Sequence, residues 1–183
     1  MNNVIRKSLF LSICTLLAVG CSSKISNHNG NQDGCEEVTL KNGIAYSEPG
    51  HCAEELNLSM VKTTMRRLAK EKGVITTNSG LQYRVLHPGT GAKPTANSTV
   101  VVHYTGKLVS GLEFDSSYKR NLPAKFPVNK VITGWTEGLQ LMKIGAKYEF
   151  IVPPSLAYGK RGAGRLIGPY EILIFEVELL RIQ

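Results

Sequence analysis

Tyr104, Phe114 and Asp115 are the residues whose types and spacing first suggest chemistry. Tyr104 lies in the run Val100-Val101-Val102-His103-Tyr104-Thr105-Gly106, and Phe114 and Asp115 in Leu112-Glu113-Phe114-Asp115-Ser116-Ser117. Three valines and an aromatic, with Thr99 and Thr105, predict a strand that Gly106 ends. In such a strand Val100, Val102 and Tyr104 share one face, and Val101 and His103 the other. Ser110-Gly111 turns the chain back, so Phe114 and Asp115 stand close to Tyr104 across a hairpin. A phenol, an aromatic ring and a carboxylate gathered on an apolar sheet make a hydrophobic pocket with a few fixed polar groups, the usual composition of a small binding site. Metal and phosphate chemistry find little footing. His28, His51, His87 and His103 are isolated and form no ligand pair, and Gly162-Ala163-Gly164 lies between strands rather than ahead of a helix.

The elements that must position these residues begin near Gly80. Leu81 to Val85 alternates as a half-buried strand, and Pro88-Gly89-Thr90-Gly91 turns it. Lys147 to Val152 and Ile172 to Leu180 alternate too, with Phe150 and Val152, then Phe175, Val177 and Leu179, on the inward faces. Thr136 to Lys143 is the one internal helix of this region, and its Leu139 and Met142 can pack on the sheet. Strands outnumber helices and connections are short. The expected class is therefore α+β, an antiparallel sheet curled around one short α-helix. A helical segment from Ala53 to Lys72 precedes it. Leu58, Val61, Met65, Leu68 and Ala69 form its apolar stripe, Glu54 and Glu55 sit near its start and Arg66 and Arg67 near its end, and Gly73 stops it. Such a helix can dock on its own domain or on the loop before it, or pair with a second copy.

Five motifs then occur in order: VVHYTG, EFDSS, Val131-Ile132-Thr133-Gly134-Trp135, Ala157-Tyr158-Gly159, and Ile174-Phe175-Glu176-Val177-Glu178-Leu179-Leu180. From about Gly80 to the C-terminus the chain resembles the FKBP-type peptidyl-prolyl cis-trans isomerases, in particular their bacterial envelope branch. The resemblance implies an enzyme without cofactor or metal, acting on proline-containing polypeptides and open to the family's macrolide inhibitors. It implies a pocket between concave sheet and helix. Tyr104, Phe114, Asp115 and Tyr158 are its catalytic candidates; Phe126, Val131, Ile132, Trp135, Ile167 and Phe175 are its substrate-binding walls. Trp135 would be the floor, the loop from Tyr158 to Tyr170 would overhang the rim, and the Tyr158 hydroxyl would hold a substrate carbonyl. Read without the resemblance, Phe126, Val131, Ile132 and Phe175 also suit a plain core, and Asp115 suits a turn carboxylate paired with Arg120. The chain departs from its relatives where they carry Ile-Pro-Pro-Asn: here the flap ends Ile167-Gly168-Pro169-Tyr170, and Arg165 stands where glycine is common. A peptide-binding chaperone or surface module with little turnover is the alternative on the same fold.

The N-terminal third reads as export. Arg6 and Lys7 precede an apolar stretch from Ser8 to Val19, too short to span a bilayer comfortably. Leu17-Ala18-Val19-Gly20-Cys21 looks like a bacterial lipobox, which would make Cys21 the lipidated first residue; a plain secretory signal with an incidental Cys21 fits the same stretch. By resemblance to the sorting pattern of enterobacterial lipoproteins, Ser22 and Ser23, with no aspartate after Cys21, imply the outer membrane, facing the periplasm or the cell surface. Cys35 and Cys52 flank a turn-rich piece and, in an exported protein, pair as a disulfide or remain as thiols for a partner. The expected division is residues 1–20 signal peptide, 21–52 lipidated tether and disulfide loop, 53–75 helix and linker, and 76–183 isomerase domain. The formal charge of +8 falls to +6 if Arg6 and Lys7 leave with the signal. The basic residues are scattered without interleaved exposed aromatics, which argues against nucleic acid as a partner.

Overall fold

The structure, a computed structural model, describes Ser23–Ile25, Val38–Lys41, Ile44–Tyr46 and residues 51–183. The signal peptide, Cys21 and Cys35 lie outside the described residues, as does the Cys52 side chain.

Three short strands, β1 (Ser23–Ile25), β2 (Val38–Lys41) and β3 (Ile44–Tyr46), form a small antiparallel sheet in the order β1-β2-β3. The sequence reading assigned the first of these to a tether. Helix α1 (His51–Leu68) follows, two residues earlier at its start and four shorter at its end than the sequence predicted. Its buried stripe is Ala53, Asn57, Met65 and Leu68, with Val61 half-buried beside them. Leu58, placed on that stripe from sequence, is 51% exposed. The reason is Asn57: its amide donates to Ala45 O (2.8 Å) and accepts from Ala45 N–H (2.7 Å). A polar residue so satisfied takes the buried position and turns its neighbour to solvent. Met65 and Leu68 pack with Ile151 and Ile172, and Gln82 Nε2 donates to Met65 O at 2.9 Å. The helix thus docks on the sheet of its own chain.

The main sheet consists of β4 (Val74–Thr76), β5 (Gln82–His87), β6 (Thr99–Leu108), β7 (Glu113–Ser116), β8 (Ala124–Pro127), β9 (Lys147–Val152) and β10 (Leu173–Ile182). Their order is β4-β5-β9-β10-β6-β7, every pairing antiparallel, and β8 shares the β6 edge with β7. The helix α2 (Thr133–Leu141) begins three residues before the sequence-predicted start, which puts Trp135 in its first turn. Its glycines allow the close approach. A Cβ on Gly138 would meet the Phe150 ring at 2.8 Å, and one on Gly134 would meet Val152 Cγ1 at 2.5 Å. Leu139, Met142, Phe150, Val152, Val177 and Leu179 are fully buried between helix and sheet. The period-2 alternation of β10 therefore reports its inward face correctly; in β9 Phe150 and Val152 do face inward, but Ile151 is buried as well, on the opposite face against α1.

One expectation is overturned in β6. Gly106 does not end the strand; it pairs with Phe175 on one side and Asp115 on the other, and the strand runs on to Leu108. Its lack of a side chain serves packing. A Cβ there would lie 2.6 Å from the Phe114 ring and 2.9 Å from that of Phe175, so both rings cross the strand above it.

Candidate functional site

The site opens between the concave face of β6, β7 and β10 and the N-terminal end of α2. Trp135, 4% exposed, is its floor. Three rings meet the indole edge-on: Tyr104 (5.2 Å, 90°), Phe126 (5.7 Å, 89°) and Phe175 (5.2 Å, 79°), and Phe114 meets Phe175 likewise (5.5 Å, 87°). Edge-to-face contacts between ring quadrupoles are favourable and fix these rings around the indole. The cleft holds about 680 Å³. Tyr104, Phe114, Asp115, Phe126, Val131, Ile132, Trp135, Tyr158, Ile167 and Phe175 all line it, so the ten residues singled out from sequence come together at one place.

The polar corner is built by the hairpin. Tyr104 is held from behind by fully buried Ser117, whose Oγ accepts the Tyr104 N–H (2.8 Å) and whose N–H donates to Tyr104 O (3.0 Å). The Tyr104 hydroxyl donates to Asp115 Oδ2, and Arg120 Nη1 donates to Asp115 Oδ1. Arg120 Nη2 also donates to the Tyr104 hydroxyl at 3.1 Å, its guanidinium 5.8 Å from the centre of that ring. Asn121, in a left-handed conformation (φ 50°), turns the loop so that Arg120 reaches back. Burial raises the Asp115 carboxyl, but the bond from Tyr104 and the Arg120 pair outweigh it and hold the group below the usual carboxylate range. Burial, then the bond to Asp115, push the Tyr104 phenol up. At neutral pH the corner is thus a neutral phenol fixed by a carboxylate and a guanidinium. Asp115 both pairs with Arg120, as a turn carboxylate would, and borders the cleft.

His103 points to the opposite face, where it shares a hydrogen bond with Ser117 Oγ (2.9 Å) and stacks on Tyr118 at 4.6 Å. Burial and the bond to Glu178 push the Tyr118 phenol up to about 12. Tyr158, 41% exposed, stands at the rim where the overhanging loop begins.

Sequence reasoning missed Lys130, Ala157, Ala163 and Gly164, which also line the cleft. Ala157, Ala163 and Gly164 offer no chemical signal; only the fold brings them there. Lys130 directly precedes Val131 and Ile132, and its adjacency could have flagged it. The Asp115–Arg120 pair was expected from sequence, but the bonds that Ser117 and Arg120 make across the hairpin to Tyr104 are tertiary facts.

Comparison with known proteins points to one family. The family model described as FKBP-type peptidyl-prolyl cis-trans isomerase matches residues 90–180. The Escherichia coli FKBP-type 22 kDa peptidyl-prolyl cis-trans isomerase is 57% identical over 114 residues, 62% of this chain and 55% of that protein. The outer membrane protein MIP of Legionella longbeachae is 50% identical over 111 residues, 61% of this chain and 48% of that protein. A crystal structure of a peptidyl-prolyl cis-trans isomerase from Pseudomonas syringae superposes with a TM-score of 0.68 at 39% identity, covering 74% of this chain and 99% of that one. The chain spans about half the length of the curated relatives it matches.

Proposed function

Because this chain belongs to the FKBP-type peptidyl-prolyl cis-trans isomerase family, we propose that it accelerates cis-trans rotation about X-Pro bonds in polypeptide substrates. The observation that carries the reading is the Trp135 floor with three perpendicular rings around it and one fixed polar corner. Rotation about a peptide bond faces a barrier of about 18–20 kcal/mol because amide resonance is broken on the way. Both X-Pro isomers are populated, and they exchange over tens to hundreds of seconds. The planar amide is more polar than the twisted one, so an aromatic, water-poor cleft raises the ground state relative to the transition state. In this reading a pyrrolidine ring sits on Trp135, and Tyr158, at the rim of the cleft, donates its hydroxyl to the substrate carbonyl. No proton transfer or nucleophile is needed. A rate gain of about 10⁵ corresponds to roughly 7 kcal/mol of differential stabilisation, shared among desolvation, one carbonyl hydrogen bond and a bent bound peptide.

Tyr158→Phe tests the assignment because it removes one hydroxyl and keeps the ring. A neutral hydrogen bond is worth about 0.5–1.5 kcal/mol net, so kcat/KM for a proline tetrapeptide should fall by roughly two- to twelvefold. A wild-type chain that leaves X-Pro exchange unaccelerated, both in tetrapeptides and in a proline-limited refolding protein, sinks the enzyme reading. Binding of unfolded chains would then mark it as a chaperone. The family's macrolide inhibitors would compete for the same cleft.

The setting proposed for this activity is the bacterial envelope. The lipobox-like stretch ending at Cys21 supports a lipid anchor, and the relative named as an outer membrane protein supports the location. Cys35 and Cys52 would close a loop that ends in the first turn of α1, a link worth about 3 kcal/mol in the chain-entropy model. Intact mass spectrometry of the mature chain addresses both. The expected mass begins at Cys21, carries acyl groups and lacks two hydrogens; an unacylated mass or two alkylatable thiols would refute the corresponding half.

A further inference from the structure

We infer that the N-terminal segment is a working part of this site: β3 and α1 hold the flap, residues 159–170, over the cleft, with Ile44, Glu54 and Lys160 as positioning residues. The inference rests on the isomerase reading of the cleft. The flap contributes Ala163, Gly164 and Ile167 to the pocket wall. Its own backbone closes it in two places. Tyr170 N–H donates to Gly159 O at 2.9 Å, and Ala163 and Ile167 exchange bonds of 2.8 and 3.2 Å. With glycine at 162, 164 and 168, a loop so closed still has many conformations open to it.

Contacts from outside select one of them. Lys160 Nζ donates to Glu54 Oε2 at 2.7 Å, joining the flap to the first turn of α1 across 106 residues of sequence. Ile44 of β3 reaches the other end: its Cδ1 lies 2.9 Å from where a Cβ on Gly168 would stand. Tyr170 adopts a left-handed backbone (φ 58°), costly for a bulky side chain and therefore imposed by its surroundings. Two of the three departures from the family pattern, Gly168 and Tyr170, find a reason here. Glycine rather than proline at 168 leaves room for Ile44, and Tyr170 lies beside the Glu54 carboxylate.

The holding element is itself anchored. Asn57 grips both backbone groups of Ala45, the residue after Ile44. Met65 and Leu68 seat α1 on the main sheet. A continuous path therefore runs from the sheet through α1 and β3 to the flap and the cleft. Its effect is preorganisation, which spares the substrate the cost of ordering the flap and so acts on binding.

The test uses charge reversal in the full chain: Glu54→Lys, Lys160→Glu, and the two together. Exposed ion pairs are weak, so each single reversal should raise KM for a proline tetrapeptide about two- to fivefold, with kcat changed less. Amide exchange at Ala163 and Ile167 should quicken by a similar factor, and the double reversal should restore both. Ile44→Ala should loosen the same amides, while the thermal midpoint of the charge variants stays at the wild-type value. Single reversals that leave KM and flap exchange unchanged, or a double reversal that restores neither, overturn the proposal. Because Trp135 is the sole tryptophan, its fluorescence reads peptide affinity without turnover. A wild-type chain inactive as an isomerase would end the enzyme reading, while flap exchange and peptide affinity would still decide the hold on the flap.

Discussion

Gly106→Val is expected to remove nearly all isomerase activity and to destabilise the fold by roughly 1–3 kcal/mol, the usual range for overpacking a well-filled core. The position lies near the C-terminal end of β6 but is paired on both sides. The first carbon of any side chain there would stand 2.6 Å from the Phe114 ring and 2.9 Å from Phe175. The strand cannot retreat, because both its edges are hydrogen-bonded, so the rings must yield. These rings are two walls of the cleft, and displaced they fill it. Activity should therefore fall much further than stability does. Thermal unfolding and kcat/KM measured on the same preparations check this, and Phe114→Leu in the Gly106→Ala background should recover part of the lost stability. A Gly106→Val variant with wild-type turnover would contradict the packing argument.

Phe150→Ala should be the most destabilising single truncation in the domain, costing about 3–5 kcal/mol as large buried aromatics do. Phe150 is completely buried on β9 and touches the place where Gly138 brings α2 down onto the sheet. Its loss leaves a cavity at the contact that sets the height of α2, and with it that of Trp135 in the first turn. A domain of this size moves its midpoint by about 4–8 °C per kcal/mol, so a fall of more than about 12 °C is expected. Differential scanning calorimetry gives the number. Isomerisation measured well below the new midpoint should drop as well, since the floor shifts. A loss below about 1 kcal/mol would mean that the helix does not depend on this ring.

Several features were legible before any coordinates because they are local and periodic. The alternation in β10 names its buried face, since side chains on a strand point to opposite sides in turn. Hairpin arithmetic places Phe114 and Asp115 beside Tyr104, and the resemblance to a known family extends this pair to the whole cleft. Other features depended on residues far apart in sequence meeting in space. Gly106 looked like a strand end because a missing side chain reads as a break until two rings are seen to need the room. The helix α2 was expected from Thr136, although Gly134 belongs inside it, where the close approach to Val152 needs a residue without a side chain. Leu58 fitted an apolar stripe, but Asn57 claims the buried position by capturing both backbone groups of Ala45. Most of all, the docking of α1 and its grip on the flap join residues 106 apart, Glu54 and Lys160. No periodicity carries such a contact, because its geometry is set only when the main sheet gives Met65 and Leu68 an apolar face to bury against.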